Sequence, residues 1–345
     1  MPRRVEARAA TRIDFAGGTI DLWPLYLLHD DPLTVNAAID LFANATVETT
    51  GDGVEIISTD REARLGPVPA GGLAAAARRA PAELEFPARL AAHFLGGGAG
   101  AAPGAGCRIT TDCRAPAGSG LGGSSALGIA LAAALDRFTG RGLDPERLLA
   151  TTRAIETQVL RIPTGEQDYH PALRGGVLAL HYTVEGTRAE RLRIDTRALR
   201  ERVVLVFSGV SRSSGISNWD MLKRHLDGDA VVRGALEGIN RAAHTMRDAL
   251  LKGDWDGAAA ALAGEWRERR RLSDKVTSPG IDRIIEGAAK AGSLAGKVCG
   301  AGGGGCLVLW VGEGGRRRVE EEVGRLGGRV LDYAFVDDGV SVTEV

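Results

Sequence analysis

The chain is poor in the residues that organise metal or disulfide scaffolds. It has four cysteines, Cys107, Cys113, Cys299 and Cys306, and no pair of them forms Cys-x-x-Cys. Its six histidines are scattered. A structural zinc site is therefore not expected, and free thiols in a reducing cytoplasm are the reading. No run approaches the roughly 18 apolar residues of a membrane span. Neither sign of charge is in excess: 43 basic residues face 44 acidic ones, a formal net charge of −1. That balance argues against a nucleic-acid surface. The N-terminal Met-Pro-Arg-Arg-Val-Glu-Ala-Arg has positive charge but no apolar core after it, so it does not read as a secretory signal. At 345 residues, 44% hydrophobic, the chain can bury two domain cores or one large one.

Glycine, in contrast, is abundant at 48 residues, and it clusters where it is informative. Residues 114–127 read Arg-Ala-Pro-Ala-Gly-Ser-Gly-Leu-Gly-Gly-Ser-Ser-Ala-Leu. Glycines let a backbone approach a charged ligand and adopt positive φ. The apolar run that follows reads as a helix, whose start adds unpaired N–H groups and the positive end of a dipole. Together these make a phosphate cradle. No Gly-Lys-Ser/Thr follows, so this is not the usual P-loop. Gly118, Gly120 and Gly123 fit G-x-G-x-x-G, but a dinucleotide site needs an apolar strand running straight into the first glycine. Thr110, Thr111, Asp112, Arg114 and Pro116 stand there instead. The acid at the ribose-binding distance, Asp144, sits in Leu-Asp-Pro-Glu-Arg, which reads as a helix start. A tight turn packing strand on helix is the bland alternative.

Periodicity predicts strands over 5–15, 33–49, 54–58, 107–113, 177–182, 203–207 and 306–311. It predicts helices over 70–80, 87–95, 124–138, 144–160, 229–252, 254–271, 280–291 and 316–326, with 96–106 a surface loop and 297–305 a second glycine-rich turn. Without regular βαβ alternation, the class is α+β. A boundary near residue 190 divides the chain into 1–190 and 191–345.

Pro116 to Ala126 resembles the central motif of the GHMP kinases, the small-molecule kinases that include galactokinase, homoserine kinase, mevalonate kinase and phosphomevalonate kinase. The resemblance extends over nearly the whole chain. It implies an N-terminal domain like ribosomal protein S5, a ferredoxin-like C-terminal domain, and an active site between them. It implies that Pro116, Gly118, Ser119, Gly120, Leu121, Gly122, Gly123, Ser124, Ser125 and Ala126 wrap the triphosphate of ATP. A serine near the loop's end then touches Mg²⁺; Ser125 falls there, with Ser124 the other candidate.

The same resemblance supplies the remaining roles. Thr164-Gly165-Glu166-Gln167-Asp168-Tyr169-His170, followed by Gly175 and Gly176, is similar to the segment carrying the catalytic aspartate. Asp168 would accept or orient the proton of the attacking hydroxyl. Glu156, twelve residues earlier, has the spacing of the Mg²⁺-binding glutamate. The segment Thr11 to Leu22 resembles the sugar-kinase form of the first motif. It implies that Arg12 pairs with Asp168 and that Asp21 grips sugar hydroxyls beside Gly17, Gly18 and Thr19. Gly300 to Gly305, with Gly302 and Gly303 at its centre, resembles the third motif, closing on the first loop. Arg212 lies in a segment similar to one in bacterial heptose-phosphate kinases and would hold a substrate phosphate or carboxylate. Arg267 to Arg271 reads as a solvated helix face, and Trp23 as core, with stacking on a sugar as its other role.

The implied activity is ATP- and Mg²⁺-dependent phosphorylation of a hydroxyl, the anomeric one, of a sugar or sugar phosphate. It looks like that of the D-glycero-D-manno-heptose 7-phosphate kinase branch. The alternatives are a mevalonate-pathway or other non-sugar GHMP kinase, and a catalytically silent sugar and nucleotide sensor. A cytoplasmic monomer or homodimer with a small-molecule substrate, and no nucleic-acid or membrane partner, is expected.

Overall fold

A computed structural model of the protein describes residues 3–96, 106–209, 218–300 and 302–345. Its first half opens with β1 (Arg4–Ala16), β2 (Leu33–Thr50), β3 (Val54–Ser58) and β4 (Ala63–Val68). Then come α1 (Leu73–Ala77), α2 (Ala82–Leu95), β5 (Gly106–Cys113), α3 (Gly123–Thr139), α4 (Pro145–Leu160), α5 (Tyr169–Arg174), β6 (Val177–Thr183) and β7 (Gly186–Arg191). The 18-residue β2 is the spine of the first sheet. It lies antiparallel to β1, pairs β6 through its first residues and β5 through its last. β3 joins β5 in parallel and carries β4 at the edge. α3 packs across β1 and β2 with an almost wholly apolar set of buried residues. That burial fixes the helix start, and with it the glycine loop, against the sheet.

The second half holds α6 (Thr196–Arg202), β8 (Val203–Phe207), α7 (Asn218–Leu226), α8 (Ala230–Lys252), α9 (Trp255–Arg270), α10 (Pro279–Lys290), β9 (Ser293–Val298), β10 (Cys306–Val311), α11 (Arg316–Arg325), β11 (Arg329–Leu331) and β12 (Ser341–Glu344). Four of these strands form the second sheet in the order β11-β8-β10-β9, each neighbour antiparallel. A strand–helices–strand–strand–helix–strand order with that arrangement is the ferredoxin-like one named above.

The division near residue 190 is incomplete. β12 lies outside the second sheet and pairs with β1 of the first, and Phe335 bridges Ile39. α2 begins at Ala82 and carries Pro87 inside it, five residues before the predicted start. The region read as a helix over 70–80 holds only a short turn and α1. β4, β7, α5, α6 and α7 were not predicted; each is nine residues or shorter. Among the described residues no helix is long and apolar enough to cross a membrane. All four cysteines are free thiols.

Candidate active site

The glycine loop takes the conformation that its composition allows. Gly118, Gly120 and Gly122 have φ of 66, 73 and 72°, values that L side chains rarely adopt. Gly122 is the residue before α3, and no side chain caps that end. The first N–H groups of α3 are thus left for a ligand, at the positive end of a 17-residue helix. The loop opens onto a cleft of about 580 Å³ whose wall includes Arg12, Pro116, Ser124, Ser125, Glu156 and Asp168. Leu121 and Ala126 are fully buried and offer only main chain.

Arg12 ties the cradle to Asp168. From the bulged end of β1 its Nε and Nη2 donate to Asp168 Oδ1 at 2.8 and 2.6 Å, and its Nη1 donates to Gly120 O at 2.5 Å. Its own N–H donates to Leu121 O. Burial would lower the Arg12 pKa, but the carboxylates of Asp168 and Asp14 outweigh it and raise it. Asp168 is the residue before α5, and its carboxylate therefore stands against a fixed positive charge.

Glu156, on α4, is 4% exposed. It accepts from Ser125 Oγ at 3.0 Å and from the hydroxyl of Tyr169, and Ser124 bears on the same carboxyl. Burial raises its pKa, and among the described residues it has no cationic partner. A buried carboxylate served by hydroxyls alone, at the mouth of a phosphate cradle, fits a divalent cation that takes its other ligands from phosphate and water. Among the described residues no cluster of three His, Cys, Asp or Glu offers an all-protein metal cage.

Asp21 lies behind Gly165, a residue of the cleft wall: a Cβ on Gly165 would fall 1.8 Å from Asp21 Oδ2. Its two oxygens accept from the N–H of Thr19 and of Gln167, each at 3.0 Å. A carboxylate has about four acceptor positions, so capacity remains. Burial pushes its pKa up to about 6. The second glycine turn closes on the first from the other half. Cys306 N–H donates to Ser119 O at 2.7 Å, and a Cβ on Gly120 or Gly305 would meet opposing backbone at 2.5 Å.

Two domain models of one family match this chain: "GHMP kinases N terminal domain" over residues 87–176 and "GHMP kinases C terminal" over 246–328. The chain belongs to the GHMP kinases. The first matched span holds the cradle, Glu156 and Asp168, and the second holds the other glycine turn. The chain is 29% identical over 229 residues to D-glycero-alpha-D-manno-heptose 7-phosphate kinase of Campylobacter jejuni, covering 65% of this chain and 67% of that protein. It is 24% identical over 333 residues to L-fucokinase/L-fucose-1-P guanylyltransferase of Bacteroides fragilis, covering 88% of this chain but only 34% of that longer protein. The crystal structure of Methanococcus jannaschii mevalonate kinase matches with a TM-score of 0.76 at 15% identity, over 96% of this chain and 98% of that one. That last likeness is one of fold alone.

Several expected site residues of this GHMP kinase are spent on packing. A Cβ on Gly175 would meet the backbone of Asp337 and Asp338 at 2.4 Å, and Gly302 and Gly303 face Val276. Backbone thus fills the Cβ side of Gly175 and Gly302. Gly17 is pressed onto the backbone of Leu33 and Thr34. Gly18 lies against Asp14 and Gln167, and Thr19 bonds Arg269. Arg212 lies outside the described residues. Trp23 is 65% exposed, not core.

Sequence reasoning also missed a buried ionic group. Asp14, Glu265, Arg269 and Lys297 all have side chains 0% exposed. Lys297 Nζ lies 3.2 Å from Asp14 Oδ2 and 3.3 Å from Glu265 Oε1. Burial would raise the Asp14 pKa, but Lys297, Arg269 and Arg12 overcome it and lower it. Arg269 was read as part of a solvated face. Its i,i+4 spacing from Glu265 was the one available signal, since it puts both on a single side of α9.

Proposed function

We propose that the protein is an ATP-dependent kinase that phosphorylates a hydroxyl of a sugar or sugar phosphate, the anomeric hydroxyl in a heptose 7-phosphate kinase-like reaction. The observation that carries the reading is Arg12, which forks to Asp168 while its third nitrogen holds the phosphate loop at Gly120. The group that would take a proton and the loop that would hold the triphosphate are thereby fixed to each other. The likeness to a sugar-phosphate kinase and a fucokinase in sequence supports a sugar, as does Asp21 beside the cleft. The fold does not choose the acceptor, because a mevalonate kinase shares it.

In this reading Asp168 accepts the proton of the acceptor hydroxyl as its oxygen bonds to the γ-phosphorus and the bond to the ADP oxygen breaks. Arg12 holds the Asp168 carboxylate in place and adds positive charge beside the transferred group. The N–H groups at the start of α3 and in the glycine loop bind the phosphates. Glu156 and Ser125 would hold Mg²⁺, which when bound neutralises charge on the triphosphate oxygens. Asp21 orients the acceptor by accepting from its hydroxyls.

The experiment is ADP release by the purified protein with Mg²⁺ and ATP. The panel holds hexoses, deoxyhexoses, uronic acids, heptoses and their phosphates, with mevalonate and homoserine as controls. Turnover of one sugar, with product NMR locating the phosphate, is the expected outcome. Turnover of mevalonate or homoserine alone would move the assignment to a non-sugar kinase. ATP binding without any turnover would favour a sensor.

A further inference from the structure

We propose that Arg269 is a positioning residue that holds the acceptor-side turn, residues 17–21, in a strained conformation from across the molecule. Its consequence for the acceptor rests on the kinase reading above; its cause is geometric. Thr19 has φ 84°. A β-branched residue in that region is an outlier that persists only where its surroundings over-determine it. Here three hydrogen bonds do so. Thr19 N–H donates to Asp21 Oδ1 at 3.0 Å, Arg269 Nη1 donates to Thr19 Oγ1 at 2.8 Å, and Arg269 Nη2 donates to Gly18 O at 2.7 Å.

Arg269 comes from the last turn of α9, 250 residues further along the chain. The same guanidinium also reaches Gly300 O at 3.4 Å, so one side chain joins the acceptor turn to the second glycine turn. Its fork is fixed by Glu265, whose Oε1 accepts at 2.8 and 2.5 Å. Lys297 and Asp14 complete a neutral group of four buried charges. Stability alone does not call for such a group, because apolar side chains of the same volume serve as well or better. Apolar side chains would leave the Gly18 carbonyl and the Thr19 hydroxyl unheld. A lysine would supply the charge without the planar fork. Because the Thr19 amide binds Asp21, loosening Arg269 displaces Asp21 first; its link toward the nucleotide cradle is the 3.4 Å bond to Gly300 O, longer than its bonds to Thr19 and Gly18.

The test uses the full chain carrying Arg269→Met with Glu265→Gln, which removes one charge of each sign. Hydrogen exchange is read by peptide, and KM is read separately for acceptor and ATP. Exchange over 17–21 should become about 10-fold faster or more while β5 stays unchanged, and acceptor KM should rise about 10-fold with ATP KM within about two-fold. Adding Thr19→Gly, which takes this φ without strain, should recover at least about three-fold of the acceptor KM. Arg269→Lys, the milder variant, should fall between wild type and the double variant. Unchanged exchange over 17–21, parallel rises in both KM values, or no recovery with Thr19→Gly would each overturn the proposal. If the wild type turns over no acceptor, the kinase reading fails, and the exchange result alone decides the role of Arg269.

Discussion

Asp168 and Glu156 share one cleft, and their surroundings separate their chemistry. Asp168 faces the Arg12 guanidinium at 2.6 Å, whereas Glu156 meets only hydroxyls. Asp168→Asn should therefore lower kcat by about 10²- to 10⁴-fold, with the ATP dissociation constant unchanged by calorimetry; full activity would remove Asp168 from the mechanism. Asp21 is governed by burial, which pushes its pKa up to about 6. Below that pH it gains a proton and loses acceptor capacity. Acceptor KM should climb as pH falls through 6, read from initial rates across pH 5 to 8 at saturating ATP. The linked stability effect has a definite sign. A folded-state pKa above the unfolded value of about 3.9 means the native state binds more protons between the two, so this group's contribution to stability falls as pH rises from about 4 to 6. Asp21→Asn should lack that slope in melts taken across the same window.

At the scale of elements, the site depends on how closely α3 sits among its neighbours. A Cβ on Gly128 would come within 2.7 Å of Phe86 Cζ and Thr152 Cγ2, so α2, α3 and α4 meet at a position with no room for a side chain. Gly128→Val should cost about 1–3 kcal/mol, seen as a lower urea midpoint, and should loosen the loop that α3 anchors. The long elements were legible because their patterns are long. β2 runs for 18 residues and alternates in burial from Ile39 to Glu48, and α8 and α9 run for 23 and 16. Asp144 was legible as a helix start because it is a local cap, its side chain accepting from Arg147 N–H at 2.8 Å. α5 was not legible: it has six residues, one of them Pro171, yet it places Asp168.

For the whole molecule, the two sheets do not define two separate cores. One apolar cluster joins Ile13, Phe15 and Val35 of the first half to Val203, Met246 and Trp310 of the second. β12 returns to β1, and Arg3 pairs with Glu344 at 2.6 Å. Thermal unfolding should thus give one calorimetric transition, with calorimetric and van't Hoff enthalpies in agreement. Two resolved transitions would show that the halves melt independently.

The sequence by itself determined what short windows can encode. The glycine spacing before α3, the long strands, the cap at Asp144 and the order of the motif residues all depend on neighbours within a few positions. Tertiary structure alone decided the rest. Arg269 reads as one charge in a run of five polar residues, yet it is buried because Gly18, Thr19 and Gly300 bring acceptors to it. Gly175 and Gly302 read as site glycines, yet distant backbone occupies the space beside them. A charge is buried only where partners offset its desolvation, and a glycine is required only where something approaches it. Apart from Glu265, one helical turn from Arg269, both conditions are set by residues far away in the chain.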